Sequence, residues 1–397
     1  MRALLLRAAL LGLIALSARG SAVPSGSVAV LPFEMTGRHI FVEARVAGGE
    51  PLDFVFDTGA SSAVLNEKTA ERIGLEADRY ATATGASGRM RVGYSGKNRV
   101  SLGELELKGV SLTLVALDHL ERGIGRSIDG ILGYELLSRF VVTIDHDAST
   151  LVVDRHGSFR PPDGAVAHRF RMHLNIPDVV GTLRLADGTE ISGRFLVDTG
   201  AGASLVLNTP FVDEHRLLER VPNPYRRLTG SLTSDSTESF ASRLKQFEIL
   251  GHRFTDTPVH LSRAGAGVEA MDEFAGILGN EILRRFGLSF DYRKRRIWVR
   301  PLREIDAPFR MDCSGMTLRQ GEDMTSVVVR SIIAGSPAAD AGISGGDELL
   351  SIDDEAVHGR QLESVRAQLR HAGETVDLEV RRAGGVDRFA LTLRELN

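Results

Sequence analysis

The chain has 397 residues, 43% of them hydrophobic and 25% charged, with 42 glycines for many turns, a composition that agrees with a soluble protein of several domains. Its 48 basic residues against 52 acidic ones leave a formal net charge of −4, which supplies no basic field for phosphates and argues against nucleic-acid binding. Cys313 is the single cysteine, so an internal disulfide and a cysteine-rich metal site are both excluded.

Residues 1–7 form a positively charged start, residues 8–16 are apolar and residues 17–22 are mostly small, which is the pattern of an export signal cleaved after Ala22. The apolar stretch is too short for a permanent span. A soluble mature protein, periplasmic or extracellular in a bacterium, is therefore expected, with membrane tethering as the alternative if the signal stays uncleaved. Residues 38–48 and 52–57 alternate apolar and polar around Gly48-Gly49, a hairpin pattern. It runs into Phe54-Val55-Phe56-Asp57-Thr58-Gly59-Ala60, which places an acid in a turn straight after an apolar strand. A short helix fits residues 67–73. Residues 82–88, including Gly85, Ala86, Ser87 and Gly88, read as a mobile lid or an ordinary polar loop. The apolar segment Ile131-Leu132-Gly133 follows, and the pattern breaks after Asp154 at Pro161-Pro162-Asp163-Gly164.

The chain then repeats itself. Residues 179–185 and 191–198 flank Ala186-Asp187-Gly188 as a second hairpin, leading into Phe195-Leu196-Val197-Asp198-Thr199-Gly200-Ala201, 141 positions (198 − 57) after the first copy. Ile277-Leu278-Gly279-Asn280-Glu281 repeats Ile131-Leu132-Gly133-Tyr134-Glu135, with residues 280–286 as a short helix, and Ser289-Phe290-Asp291 repeats Thr143-Ile144-Asp145, both at an offset of 146 (277 − 131). A second lid candidate lies at residues 228–233, around Gly230. Duplication is how one chain builds a carboxylate pair. Two carboxyls held about 3 Å apart cannot both ionise, so they share a proton, and one can deprotonate a water while the other protonates a carbonyl; the handling of such a dyad is an established general pattern. No His-Glu-x-x-His helix or paired Cys motif occurs, and no metal or cofactor is expected.

With two Asp-Thr-Gly-Ala segments, each followed by an apolar-apolar-Gly segment, residues 28–303 resemble the retropepsin-like aspartic proteases. That resemblance implies a mainly β fold of two pseudo-symmetric lobes, residues 28–154 and 165–303, closed like barrels around a pepsin-type cleft. It implies Asp57 and Asp198 as catalytic residues, Thr58, Gly59, Thr199 and Gly200 as supports of the active-site turns, and Ile-Leu-Gly packing beneath each turn. Because both halves are fused, it implies a monomer that cuts protein or peptide substrates. Ala60 and Ala201 stand where pepsin-like enzymes have Ser or Thr; the missing hydroxyl removes a donor, so the dyad should ionise less readily. Tyr80 and Tyr94 both flank the first lid, and neither is assignable as a lid tyrosine.

Residues 312–397 resemble a PDZ domain, a small α+β module, through residues 334–342 and Gly346-Asp347-Glu348-Leu349-Leu350-Ser351-Ile352. A helix over residues 360–370 puts Leu362, Val365 and Leu369 on one face, and residues 376–380 and 389–393 fit strands. The resemblance implies capture of a peptide C-terminus by strand addition, with Gly315, Met316, Thr317 and Leu318 as the carboxylate loop. Cys313 fits a buried or linker cysteine. The competing class is a non-catalytic peptide-binding protein that keeps the cleft; a two-carboxylate glycosidase fails because symmetric turns bring the acids too close for a sugar bond between them.

Overall fold

A computed structural model describes residues 26–231 and 234–396. The export signal expected at residues 1–22 lies outside them. The fold is mainly β, with a 13-stranded sheet and an 8-stranded sheet up to Pro301 and a 6-stranded sheet in the C-terminal part.

The alternating strand His39–Val46 pairs antiparallel with Leu52–Phe56, across a turn in which Ala47 and Gly48 have φ of 52° and 77°. Leu52–Phe56 then runs parallel to Gly130–Leu132, which is antiparallel to Ala63–Asn66, which in turn is parallel to Leu105–Val115. Arg89–Leu102 pairs with Leu105–Val115 and returns to His39–Val46, so these strands close into a barrel. Phe54, Phe56, Leu65 and Leu112 fill it and are fully buried. The second lobe repeats every step. Ile176–Arg184 and Glu190–Val197 form the hairpin, Gly276–Leu278 lies between Glu190–Val197 and Leu205–Leu207, and Ser234–Ile249 returns to Ile176–Arg184.

Between the barrels, Val141–Asp145 pairs antiparallel with Phe286–Asp291. Thr143 faces Ser289, their hydroxyls bonded at 2.8 Å across 146 positions. On either side Ile144 pairs with Leu288 and Val142 with Phe290. At the repeat offset Leu288 is the copy of Val142 and Phe290 the copy of Ile144, so the register is its own mirror and the two-fold axis passes here.

Helices are short. Glu67–Arg72 starts on the Asn66 side chain, which accepts from the Lys68 amide. Asn280–Leu283 stops short of the expected 286, because Phe286 enters the strand paired with Arg296–Pro301. In the C-terminal domain the expected helix over 360–370 is Leu362–Gln368, and the two expected strands are Thr375–Arg382 and Gly385–Thr392, the second starting earlier and ending one residue before the expected 393. Leu362, Val365 and Leu369 pack into the core of that sheet, and Cys313 is buried with them. The linker is packed as well: Phe309 joins the barrel core, with the Arg285 guanidinium 3.9 Å from its ring centre.

Candidate active site

Each acid leaves a buried strand into a turn seated on the repeated Ile-Leu-Gly segment. The Asp57 amide donates to the Leu132 carbonyl at 3.0 Å, and the Asp198 amide to that of Leu278 at 3.0 Å. A Cβ on Gly133 would stand 1.9 Å from the Asp57 carbonyl oxygen, and one on Gly279 2.1 Å from that of Ala203. Only glycine fits there. The buried threonines lock the turns together: Thr58 Oγ1 donates to the Val197 carbonyl at 2.7 Å and accepts from the Thr199 amide at 3.0 Å, while Thr199 Oγ1 donates to Phe56 and accepts from the Thr58 amide.

The interlock brings the two carboxyls into hydrogen-bond contact. A Cβ on Gly59 would sit 2.5 Å from Asp198 Cγ, and one on Gly200 2.4 Å from Asp57 Cγ. Burial pushes both acids above the usual carboxylate range; for Asp57 the neighbouring Asp198 charge adds to this, and the Gly59 and Gly200 amides oppose it. Each carboxylate accepts two amides: Asp57 Oδ1 from Gly59 and Gly200 at 2.6 and 3.2 Å, and Asp198 Oδ1 from Gly200 and Ala201, both at 2.8 Å. The pair therefore shares one proton.

Both lid candidates belong to hairpins that line the same cavity as this dyad. Gly85, Ala86, Ser87 and Gly88 join Arg79–Thr84 to Arg89–Leu102, and the Gly85 amide closes the tip on the Gly88 carbonyl at 2.9 Å. Gly230 lies inside the strand Tyr225–Ser231, one residue short of its end, and residues 232–233 lie outside those described. The first tip is latched across the cleft: the amides of Val268 and Glu269 donate to Gly85 and Ala86 carbonyls at 3.0 and 2.8 Å, and the hydroxyls of Ser87 and Ser231 lie 2.5 Å apart. Gly267, at φ 84°, makes this approach possible, since a Cβ there would be 2.5 Å from the Gly88 nitrogen. Gly267→Ala is therefore expected to open the latch, with faster hydrogen exchange at the Val268 and Glu269 amides and a loss of roughly ten- to a hundredfold in kcat/KM.

Under the lids is a cavity of about 800 Å³. Val55, Val64, Val92 and Ile131 line it from the first lobe, and Leu196, Val206, Val268 and Ile277 from the second. Tyr94 lines it too, under the Arg79 guanidinium at 4.1 Å, whereas Tyr80 is exposed. The symmetry breaks where each lobe's first hairpin touches the opposite turn. His39 lies against Gly202, and its backbone neighbour Arg38 pairs with Glu281; at the equivalent place in the second lobe Asn175 donates to the Ser61 carbonyl. Arg38, His39, Arg227 and His260 escaped sequence reasoning because no repeat partner marks them. Glu281 was legible through its copy Glu135, which accepts from the Ala63 amide at 2.8 Å. Among the described residues no group of three His, Cys, Asp or Glu side chains is placed to hold a metal.

The carboxylate loop assigned to Gly315, Met316, Thr317 and Leu318 is already occupied at its start. Asp312 Oδ1 accepts from the Ser314 and Gly315 amides at 3.0 and 2.7 Å, and the Met316 amide donates to Ser314 Oγ at 3.0 Å. Thr317 and Leu318 lie on the strand Met316–Gln320. Burial pushes the Asp312 carboxyl up to about 6 against these amide bonds.

Two barrels that each deliver one Asp-Thr-Gly turn to a common cleft define the aspartic proteinase class of fold. Residues 42–136 match the aspartyl protease family and residues 328–382 the PDZ domain family, so a retropepsin-like aspartyl protease segment and a PDZ domain stand in one chain. Among solved structures the chain is similar to the aspartic proteinase from Irpex lacteus, at 14% identity and a TM-score of 0.44, over 70% of this chain and 98% of that one. No curated protein matches it.

Proposed function

We propose that this is an exported, single-chain aspartic endopeptidase in which Asp57 and Asp198 activate a water for attack on a peptide carbonyl, with the PDZ domain binding the C-termini of substrates or partners. The observation that carries the reading is the interlocked pair of Asp-Thr-Gly turns whose buried carboxyls touch at the floor of a lidded cleft. The partly deprotonated pair supplies the base and its shared proton the acid, so both proton transfers have a group in place. Apolar walls on both sides of the dyad fit an extended peptide with apolar side chains flanking the cut bond. The chain reads as lobes over residues 28–154 and 165–303 followed by a PDZ domain over 312–397, and among the described residues no helix is long and apolar enough to cross a membrane.

The test is incubation of the purified protein with unfolded proteins across pH, with products mapped by mass spectrometry. Cleavage that starts on the acid side and fades as pH rises above the dyad's upper titration supports the reading. A protein that binds peptides in the cleft and cuts none at any pH is instead the non-catalytic relative. Because one chain supplies both acids, specific activity should also stay constant on dilution; a steep fall that reverses on concentrating would place the cleft between two chains.

A further inference from the structure

The two-fold axis relates the walls of the cleft residue by residue. Close to the dyad they agree: Val55 is matched by Leu196, Val64 by Val206 and Ile131 by Ile277, all lining the cavity. Further out, on the lid hairpins, they do not. In the first lobe Ala81 faces Val92 across the hairpin, and Val92 and Val115 belong to the apolar cluster of that wall. The matching places in the second lobe hold Arg227, which faces Ser239, which in turn faces Ser262 on the next strand. The register of the hairpins fixes the match, at offsets of 146 (227 − 81) and 147 (239 − 92 and 262 − 115).

Where the first wall is apolar, the second carries donors. Arg227 Nη1 donates to Nε2 of His260 at 3.4 Å, a ring that burial, and then Arg227 and Arg38, hold down to about 3 and so keep neutral. Among the described residues the Arg227 Nε and the Ser239 hydroxyl are buried without a hydrogen-bond partner. Ser262, the cross-strand neighbour that could serve Ser239, is committed elsewhere: its hydroxyl donates to the Glu269 carboxyl at 2.5 Å and accepts from the Ala264 amide at 3.1 Å. The Asp312 charge acts on Arg227, but its oxygens accept from Ser314 and Gly315 and make no hydrogen bond to the guanidinium among the described residues. What the row lacks is therefore an acceptor rather than a counter-charge. A buried N–H or O–H left unpaired carries its full desolvation cost, which a ligand oxygen recovers.

We infer that Arg227 and Ser239 form a subsite for a substrate side chain with an acyl oxygen, Asp, Glu, Asn or Gln, on one side of the cut bond, while the position equally far on the other side takes an apolar side chain against Val92 and Val115. Both residues line the cavity. They stand directly opposite each other on the two strands of a hairpin, so guanidinium and hydroxyl can reach one planar acyl group together. The ligand is a side chain rather than the peptide main chain, because the matching wall in the first lobe is apolar and offers main-chain groups nothing. This rests on the peptide-hydrolase reading and gives it a direction: the acids are symmetric, and the sequences they cut are not.

The experiment uses the full-length protein and a peptide library with a fixed apolar pair at its centre and Leu, Asn, Asp, Gln and Glu mixed at the three positions on either side, the products being sequenced by mass spectrometry. At one of those positions acyl side chains should be cut with kcat/KM about tenfold or more above Leu, and at the position equally far on the other side Leu should lead. Arg227→Met and Ser239→Val should each bring that acyl-to-Leu ratio toward one, Ser239→Val by giving the second wall the side chain of the first. The ratio is read within each variant, so a general loss of activity does not imitate the effect, and two variants protect against one that fails to fold. Leu leading on both sides, acyl side chains leading equally on both, or a ratio moved by neither variant overturns the subsite and leaves the hydrolase standing. Library peptides retained on immobilised Asp57→Asn protein give a readout without turnover. Acyl enrichment on one side there, with nothing cut by the natural protein, supports the subsite and removes the hydrolase; any other retained pool, or none, overturns the subsite.

Discussion

Asp57→Asn and Asp198→Asn are each expected to lower kcat/KM by about a thousandfold or more, because an amide neither serves as the base nor shares the proton. Single-residue loss should be nearly complete at either position, since the acids act as one unit. If one variant kept near-normal turnover, the shared-proton mechanism would be wrong. The fold should survive and gain stability above the ordinary carboxylate range. The sign follows from linkage: both folded-state pKa values are raised, first by burial, so the folded protein binds more protons than the unfolded chain between the unfolded and folded values, and stability falls as pH rises through that window. Asn carries no such penalty. The melting temperature of Asp57→Asn should therefore match the natural protein's at low pH and exceed it near neutrality, a divergence that thermal scans at several pH values would measure.

Gly133→Ala and Gly279→Ala are expected to damage the protein almost as severely, although neither residue touches a substrate. The added methyl would enter main-chain oxygens at 1.9 and 2.1 Å, atoms that belong to or adjoin the turns carrying the acids. Backbone cannot yield as a flexible side chain does, so each substitution should cost about 3 kcal/mol or more, roughly 5–10 °C in melting temperature, and displace the adjacent carboxyl. Gly157→Ala is the control. Nothing lies within 4 Å of a Cβ there and its φ is ordinary, so stability and turnover should stay within error. A Gly133→Ala protein as stable and active as that control would mean the turn has slack that these contacts deny.

Much of this molecule was legible because the informative features are local and occur twice. Alternation marked both hairpins, although the first turn falls at Ala47-Gly48, one residue before the expected Gly48-Gly49, and the offset of 146 reappears in the bond between Thr143 and Ser289. Repetition pointed to Asp57 and Asp198 because a turn motif that is common once is improbable twice in the same flanks. Helix lengths were less legible: Phe286 carries the helix pattern onward, but its backbone is taken by the strand Arg296–Pro301.

What only the tertiary structure decided is where symmetry fails. Arg38, Arg227 and Arg366 come from three separate segments, and no local pattern distinguishes them from other surface arginines; their shared chamber exists only because a lobe-one hairpin, a lobe-two hairpin and a PDZ helix converge on it. The latch at Gly267 and the filling of the PDZ loop by Asp312 belong to the same class. The sequence by itself determined two barrels and a shared pair of acids, since period, turn chemistry and duplication are encoded in neighbouring residues. The tertiary structure decided which charges surround those acids and what closes over them, because long-range contacts between unlike segments carry no periodic signal along the chain.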